Sequence, residues 1–208
     1  MAKVRLFDGT VDLKNGLALE GALKELAHYQ KVEVSPYPGK IDIPSYNFVK
    51  ELERTAYNSQ RKQVDLDIFF ERFREINPNR DSSSQNIILL EEDIFRPNLN
   101  WCFGQSGIEN GQNYVIISNY RITRNGLSLK DWICHELGHM YGAAKKGRSN
   151  TTESLGSHCT NDLCVMQQKL SISEAINYAN ERRAKNAPTY CPQCQNDLKS
   201  VFKILKYK

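Results

Sequence analysis

The 208-residue chain lacks any apolar run approaching the ~18–20 residues that cross a bilayer, so no membrane-spanning helix and no membrane partner are expected. Its first residues, MAKVRLFDGTVDLKNG, hold no apolar stretch of the kind a secretory leader uses, and the expectation is a soluble, cytoplasmic protein. There is neither an internal repeat nor a low-complexity segment. Charge of one sign is also scarce: the net +4 is too mild to point to nucleic acid as a partner. Histidine is the scarcest informative residue, with four in all, and three of them (His135, His139, His158) lie close together in the chain.

What remains is ordinary globular material, 40% hydrophobic and 25% charged, sized for a single domain with a real core. Six cysteines in a reducing compartment read as thiols or metal ligands rather than disulfides. Residues 3–7 predict a strand closed by Asp8-Gly9, and 17–29 a helix on the stripe Leu19, Leu23 and Leu26. His28 in that helix has no ligand-like neighbour and reads as a surface or packing residue. Residues 31–35 predict a strand ended by Pro36 to Gly39. Pro44 opens helical periodicity that runs to Ile76, as one long helix or as two broken near Asn58-Ser59, with a polar loop at 77–84. Residues 86–90 (NIILL) suit a strand buried on both faces, and 113–118 a further strand after a Gly-rich loop. Residues 143–157 are small, polar and basic, and read as a loop or insertion. Lys145, Lys146 and Arg148 in it read as a solvated basic face, or as an attraction for acidic peptides. Ser171 caps a helix to about Lys185 with the stripe Ile172, Ala175, Ile176 and Ala179, and Cys191-Pro192-Gln193-Cys194 introduces a terminal tail.

The chemistry gathers at His135-Glu136-Leu137-Gly138-His139, an H-E-x-x-H pattern followed by Gly142. Ser128 is placed to cap this helix, with Asp131 at the third position. On a helix, i and i+4 share a face, so His135 and His139 can offer two imidazole nitrogens to one metal. Glu136 is then placed to take a proton from water at that metal. A catalytic zinc takes three protein ligands and keeps one open position. In the metzincin arrangement the third is a histidine three residues past the glycine. Lys145 stands there instead, and the next histidine downstream is His158.

The run His158-Cys159-Thr160-Asn161-Asp162-Leu163-Cys164-Val165-Met166, with Cys191-x-x-Cys194 beyond it, resembles the archaemetzincin signature H-E-x-x-H-x-x-G-x-x-H-C-x4-C-x-M followed by C-x-x-C. Only the gap between glycine and third histidine is enlarged. Residues 88–104 and 113–121 also look like the family's strand, acidic loop and substrate-side edge strand. The resemblance implies an α/β (α+β), metzincin-like fold: a mixed sheet with an edge strand for substrate, an active-site helix and a C-terminal helical subdomain clamped by a four-cysteine zinc site. Residues 1–208 then form one domain, with 1–142 carrying sheet and active helix, 143–157 inserted, and 158–208 carrying Met-turn and zinc clamp. It implies two Zn2+ per chain. His135, His139 and His158 hold the catalytic ion, Cys159, Cys164, Cys191 and Cys194 a structural one, and Met166 is the Met-turn residue. Four thiolates in two close pairs suit a closed tetrahedral site on their own chemistry too.

The expected reaction is hydrolysis of a peptide or protein substrate by a monomeric zinc metallopeptidase, with Glu136 as general base. Substrate would lie extended along 113–118. Two rival readings stay open at the level of sequence. In one, Glu153 or Asp162 replaces His158 as third ligand; in the other, the chain is a zinc-stabilised binding or regulatory module without catalysis. Cys134 reads as a small core hydrophobe, and Cys102 pairs with nothing.

Overall fold

The computed structural model describes residues 2–10, 13–29, 32–35, 43–76, 84–109 and 112–205. The expected turn at 36–39 and the polar loop at 77–83 lie outside them. In chain order the elements are β1 (Ala2–Asp8), α1 (Leu13–Ala27), β2 (Val32–Ser35), α2 (Ile43–Ala56), β3 (Tyr57–Asn58), β4 (Gln63–Asp65), α3 (Leu66–Ile76) and β5 (Ser84–Leu90). There follow β6 (Ile94–Arg96), β7 (Leu99–Cys102), β8 (Gly104–Glu109), β9 (Gln112–Ser118), α4 (Tyr120–Arg124), α5 (Leu129–Met140), β10 (Thr151–Glu153), β11 (Ser157–Cys159), α6 (Ile172–Ala184) and α7 (Pro192–Leu205).

The main sheet runs β2-β1-β5-β9-β8, parallel throughout except for β8, which pairs antiparallel with β9 at one edge. Alternation along the strands divides the interior in two. Ile87 and Leu89 of β5 with Val115 and Ile117 of β9 face α1 and α5, whereas Ile88, Leu90, Tyr114 and Ile116 face Val49 and Leu52 of α2 and the Phe69, Phe70 and Phe73 row of α3. Both faces are covered, which is why 86–90 reads as an unbroken apolar run. A second sheet, β3-β4-β6-β7, lies beside the second core, and β10 pairs with β11 as a separate hairpin. No helix among the described residues is long and apolar enough to cross a membrane.

Several expectations are corrected. The periodic stretch 45–76 is two helices separated by a β3–β4 hairpin. The Asn58 side chain accepts from the amides of Gln60 and Arg61 at 3.1 and 3.0 Å, and Lys62 turns the chain at φ 55°. Both helical stripes face the same core, so their periodicities join across the hairpin. The Gly-rich loop before 113 is largely strand β8. Gly107 lets the Tyr114 side chain approach closely, since a Cβ would stand 2.9 Å from its hydroxyl. The presence of β8 makes β9 an inner strand, so the free edge is β8 and not 113–118. The terminal tail is helix α7, opened by Pro192 at its first position. Among the α6 residues it is Ala175, Tyr178 and Arg182 that are buried, a face turned from the expected stripe.

Candidate metal centre

The Ser128 hydroxyl caps α5 by accepting from the Asp131 amide at 3.3 Å, and the helix then carries His135 and His139 one turn apart. It ends at Gly142, whose φ of 74° is the left-handed conformation that closes a helix. Ala143 and Ala144 follow, both buried. The segment expected as a polar loop then folds into the β10–β11 hairpin, pairing Thr152 with His158. The Ser157 hydroxyl donates to the Ala144 carbonyl at 2.5 Å, tying the returning strand to the end of the helix.

This brings three imidazoles together. His139 Nε2 lies 3.1 Å from His135 Nε2 and 3.2 Å from His158 Nε2. Nitrogens about 2.0–2.1 Å from one tetrahedral ion stand roughly 3.4 Å apart, so the trio fits a metal, and its ligating atoms can hold one. His135 Nδ1 sits 2.7 Å from the Val165 carbonyl; donating there leaves Nε2 as the free lone pair. Burial, then the neighbouring His158, pushes His135 down to about 4. Burial pushes His139 lower still, helped by both neighbours, and also depresses His158. All three rings are therefore neutral at pH 7, the form in which imidazole can bind a metal.

Glu136 is 7% exposed. Burial pushes its carboxyl up to about 8, opposed by a hydrogen bond from the Ser106 hydroxyl on β8. Gly104 makes room for it, since a Cβ there would stand 3.1 Å from Glu136 Cγ and 2.8 Å from the Ile116 carbonyl. Glu136 and the three histidines open onto a cleft of about 850 Å³ walled by β8, Trp132, the tip of the β10–β11 hairpin and residues 168–170. Met166 lies fully buried under the helix. A Cβ on Gly138 would collide with Met166 Sδ, so this helical glycine is what admits the thioether.

A second cluster lies behind. Cys159, Cys164, Cys191 and Cys194 are all buried and their sulfurs can share one ion. Cys159 Sγ is 3.7 Å from Cys191 Sγ, where sulfurs 2.3 Å from a tetrahedral zinc would be about 3.8 Å apart. Donors already point at the sulfurs. The Asn161 amide is 3.4 Å from Cys159, the Cys191 amide 3.4 Å from Cys164, and Arg148 Nη2 3.3 Å from Cys194. Thiol donors Cys164 and Cys194 pull Cys159 below the usual thiol range. This cluster is tied to α5 and α6: the Tyr190 hydroxyl donates to the Cys134 carbonyl of α5 at 2.7 Å, and that of Tyr178 on α6 to the Cys164 carbonyl at 2.8 Å.

Other sequence readings resolve differently. Glu153 is exposed and pairs with Lys146 at 2.9 Å; Asp162 is exposed and accepts from Gln167. Neither carboxylate is part of the histidine cluster, so the alternative third ligands fall away. Arg148 is no solvated loop cation: it pairs with Asp197 of α7 at 2.5 Å and reaches the cysteine sulfurs. Cys134 packs in the core, and burial pushes its thiol well up. Cys102 lines the cleft instead, pushed up to about 12 by burial. His28 is exposed. Sequence reading misses Ser106, Asp197 and the Gly138–Met166 contact. Only Gly138 carries a signal, as a glycine inside a capped helix.

No protein-family model matches the chain. A curated relative, an archaemetzincin of Pyrobaculum aerophilum, is 26% identical over 119 residues, and the match spans 57% of this chain and 63% of the relative. Among solved structures, an archaemetzincin of Methanopyrus kandleri superposes with a TM-score of 0.62 at 21% identity, covering 97% of this chain and 95% of the other. A zinc-dependent peptidase of Methanocorpusculum labreanum gives 0.55 at 18%, covering 94% and 99%. An Archaeoglobus fulgidus archaemetzincin complexed with malonate gives 0.53 at 20%, with the same coverages. The chain therefore resembles the archaemetzincin family in both sequence and fold.

Proposed function

We propose that the chain is a zinc metallopeptidase with one catalytic and one structural zinc. The observation that carries this reading is the convergence of three neutral Nε2 atoms, those of buried His135 and His158 and of part-buried His139, with His139 within 3.2 Å of both partners, next to a desolvated glutamate on an open cleft. His135, His139 and His158 would hold the catalytic ion, and the four cysteines the structural one. Zinc at such a site supplies positive charge that polarises a carbonyl and makes water acidic near pH 7.

The chain's own groups do the rest. Glu136 is the one carboxylate among the residues lining the cleft, and its carboxyl is the base that takes the proton from water. The positive charge beside it favours its ionised form over the neutral form that burial favours. Ser106 fixes its orientation from β8. Glu136 then delivers the proton to the leaving amine. The free edge of β8 can pair an extended peptide through main-chain hydrogen bonds, which sets the scissile carbonyl along the cleft. A non-catalytic zinc module would leave the buried, destabilised Glu136 without a use. Buried free thiols grouped for a metal suit a reducing, cytoplasmic setting, and we take the chain as a monomer acting on peptides or proteins.

The test is a mixed peptide library incubated with the zinc-loaded protein. Cleavage that disappears with chelator, returns with zinc and is lost in Glu136→Ala supports the reading; absence of any cleavage by the loaded wild type overturns it.

A further inference from the structure

Two cations line the cleft, Arg96 and Lys169, against the single carboxylate of Glu136. Arg96 already has Asp67 at 3.1 Å. Lys169 has no carboxylate within ion-pair distance among the described residues. Its ammonium donates to the Gln167 side-chain carbonyl and lies 4.4 Å from the Tyr178 ring centroid. Glu174, Asp162 and Glu181 act on it only through space. An ammonium has three donors, so one strong acceptor is missing in a half-buried setting that disfavours an unpaired charge.

The placement of this cation gives it a role. Lys169 stands three residues after Met166, in the segment that walls the cleft beside the histidines. The rim is apolar: Ile108 on β8, Leu155 at the hairpin tip and Leu170 are 71%, 61% and 62% exposed, the three most exposed large hydrophobics among the described residues. A peptide held there meets three exposed apolar side chains at the rim and, on the cleft wall, Lys169, whose ammonium has no ion-paired carboxylate among the described residues.

Building on the peptidase reading, we propose that Lys169 is a specificity residue that selects a substrate carboxylate next to the cleaved bond. The carboxylate is that of an Asp or Glu side chain, or the terminal carboxylate of a short peptide. A charge-assisted hydrogen bond in this setting favours such a ligand by about 10- to 100-fold over its neutral isostere.

The experiment uses short fluorescein-labelled alanine peptides, amidated at the C-terminus, with Glu or Gln placed at each position in turn. The Gln set is repeated with a free terminal carboxylate. Binding is read by anisotropy on zinc-loaded Glu136→Gln protein, alone and combined with Lys169→Met, Lys169→Arg or Lys169→Glu, with zinc content and melting temperature followed in parallel. The expected result is about 10- to 100-fold tighter binding of Glu at one position, or of the free-acid set, abolished by Lys169→Met, kept by Lys169→Arg and inverted toward Lys-bearing peptides by Lys169→Glu. Which peptide set responds identifies the source of the carboxylate. Equal binding of charged and neutral peptides, no binding by either, or a preference that survives Lys169→Met overturns the proposal. Cleavage by wild-type protein is read separately by mass spectrometry: selective binding without cleavage sinks the peptidase reading alone, and cleavage without charge preference sinks this proposal alone.

Discussion

Glu136 and the three histidines carry opposite proton preferences beside one cleft. Burial holds His135 near 4 against an ordinary 6.5, so the fold favours the neutral ring. Its contribution to stability is present above about pH 6.5 and is lost as pH falls toward 4. Burial holds Glu136 near 8 against an ordinary 4.5, so the fold favours the protonated acid, and that contribution is lost as pH rises from 4.5 through 8. Melting temperatures of the metal-free protein should therefore fall on both sides; His135→Gln should flatten the acid limb and Glu136→Gln the alkaline one. In the zinc-loaded protein, Glu136→Gln should lower kcat by about 100- to 10,000-fold with zinc content unchanged, read by single-substrate kinetics beside metal analysis. Gly138 makes a purely steric prediction. Gly138→Ala forces Met166 Sδ away from the new methyl and should cost about 1–3 kcal/mol, measured by denaturant unfolding.

At the scale of elements, the hairpin β10–β11 decides whether the site is complete. It is clasped to α7 by Asp197, which takes Arg148 Nη1 at 2.5 Å and the Lys145 amide at 3.0 Å. Asp197→Ala leaves the Arg148 charge largely buried and should destabilise the protein by about 3 kcal/mol, seen as a lower urea midpoint. The helices around this hairpin are legible in the chain. Ser128 with Asp131, and Ser171, announce their starts, and both serines cap as expected, accepting from the Asp131 and Glu174 amides. The hairpin itself is not legible, because its polar composition carries no period and its pairing depends on contacts with Ala144 and α7. Strand β8 is hidden for a similar reason. Its glycines disfavour a strand alone, and β9 together with the close approach of Tyr114 and Glu136 makes them necessary.

Across the whole molecule, the doubly covered sheet supplies a rigid floor, and the segment from β11 to α7 folds over one end of α5. The residues of the two candidate clusters are readable because H-E-x-x-H and the cysteine spacing are local patterns. How β8 replaces 113–118 at the sheet edge is not, since strand order depends on which distant segments pair. The Tyr190 and Tyr178 hydroxyls tie the cysteine cluster to α5 and α6, so the two candidate metal sites are mechanically joined. Cys191→Ser should lower the zinc content from about two per chain and weaken retention of the remaining ion, measured by metal analysis after graded chelation.

The measurement that bears most directly on the account is anomalous diffraction at the zinc edge from crystals of the zinc-loaded protein. One peak is expected bonded to the Nε2 atoms of His135, His139 and His158, and a second among the sulfurs of Cys159, Cys164, Cys191 and Cys194. A peak at His135 and His139 that leaves His158 unbonded would contradict it.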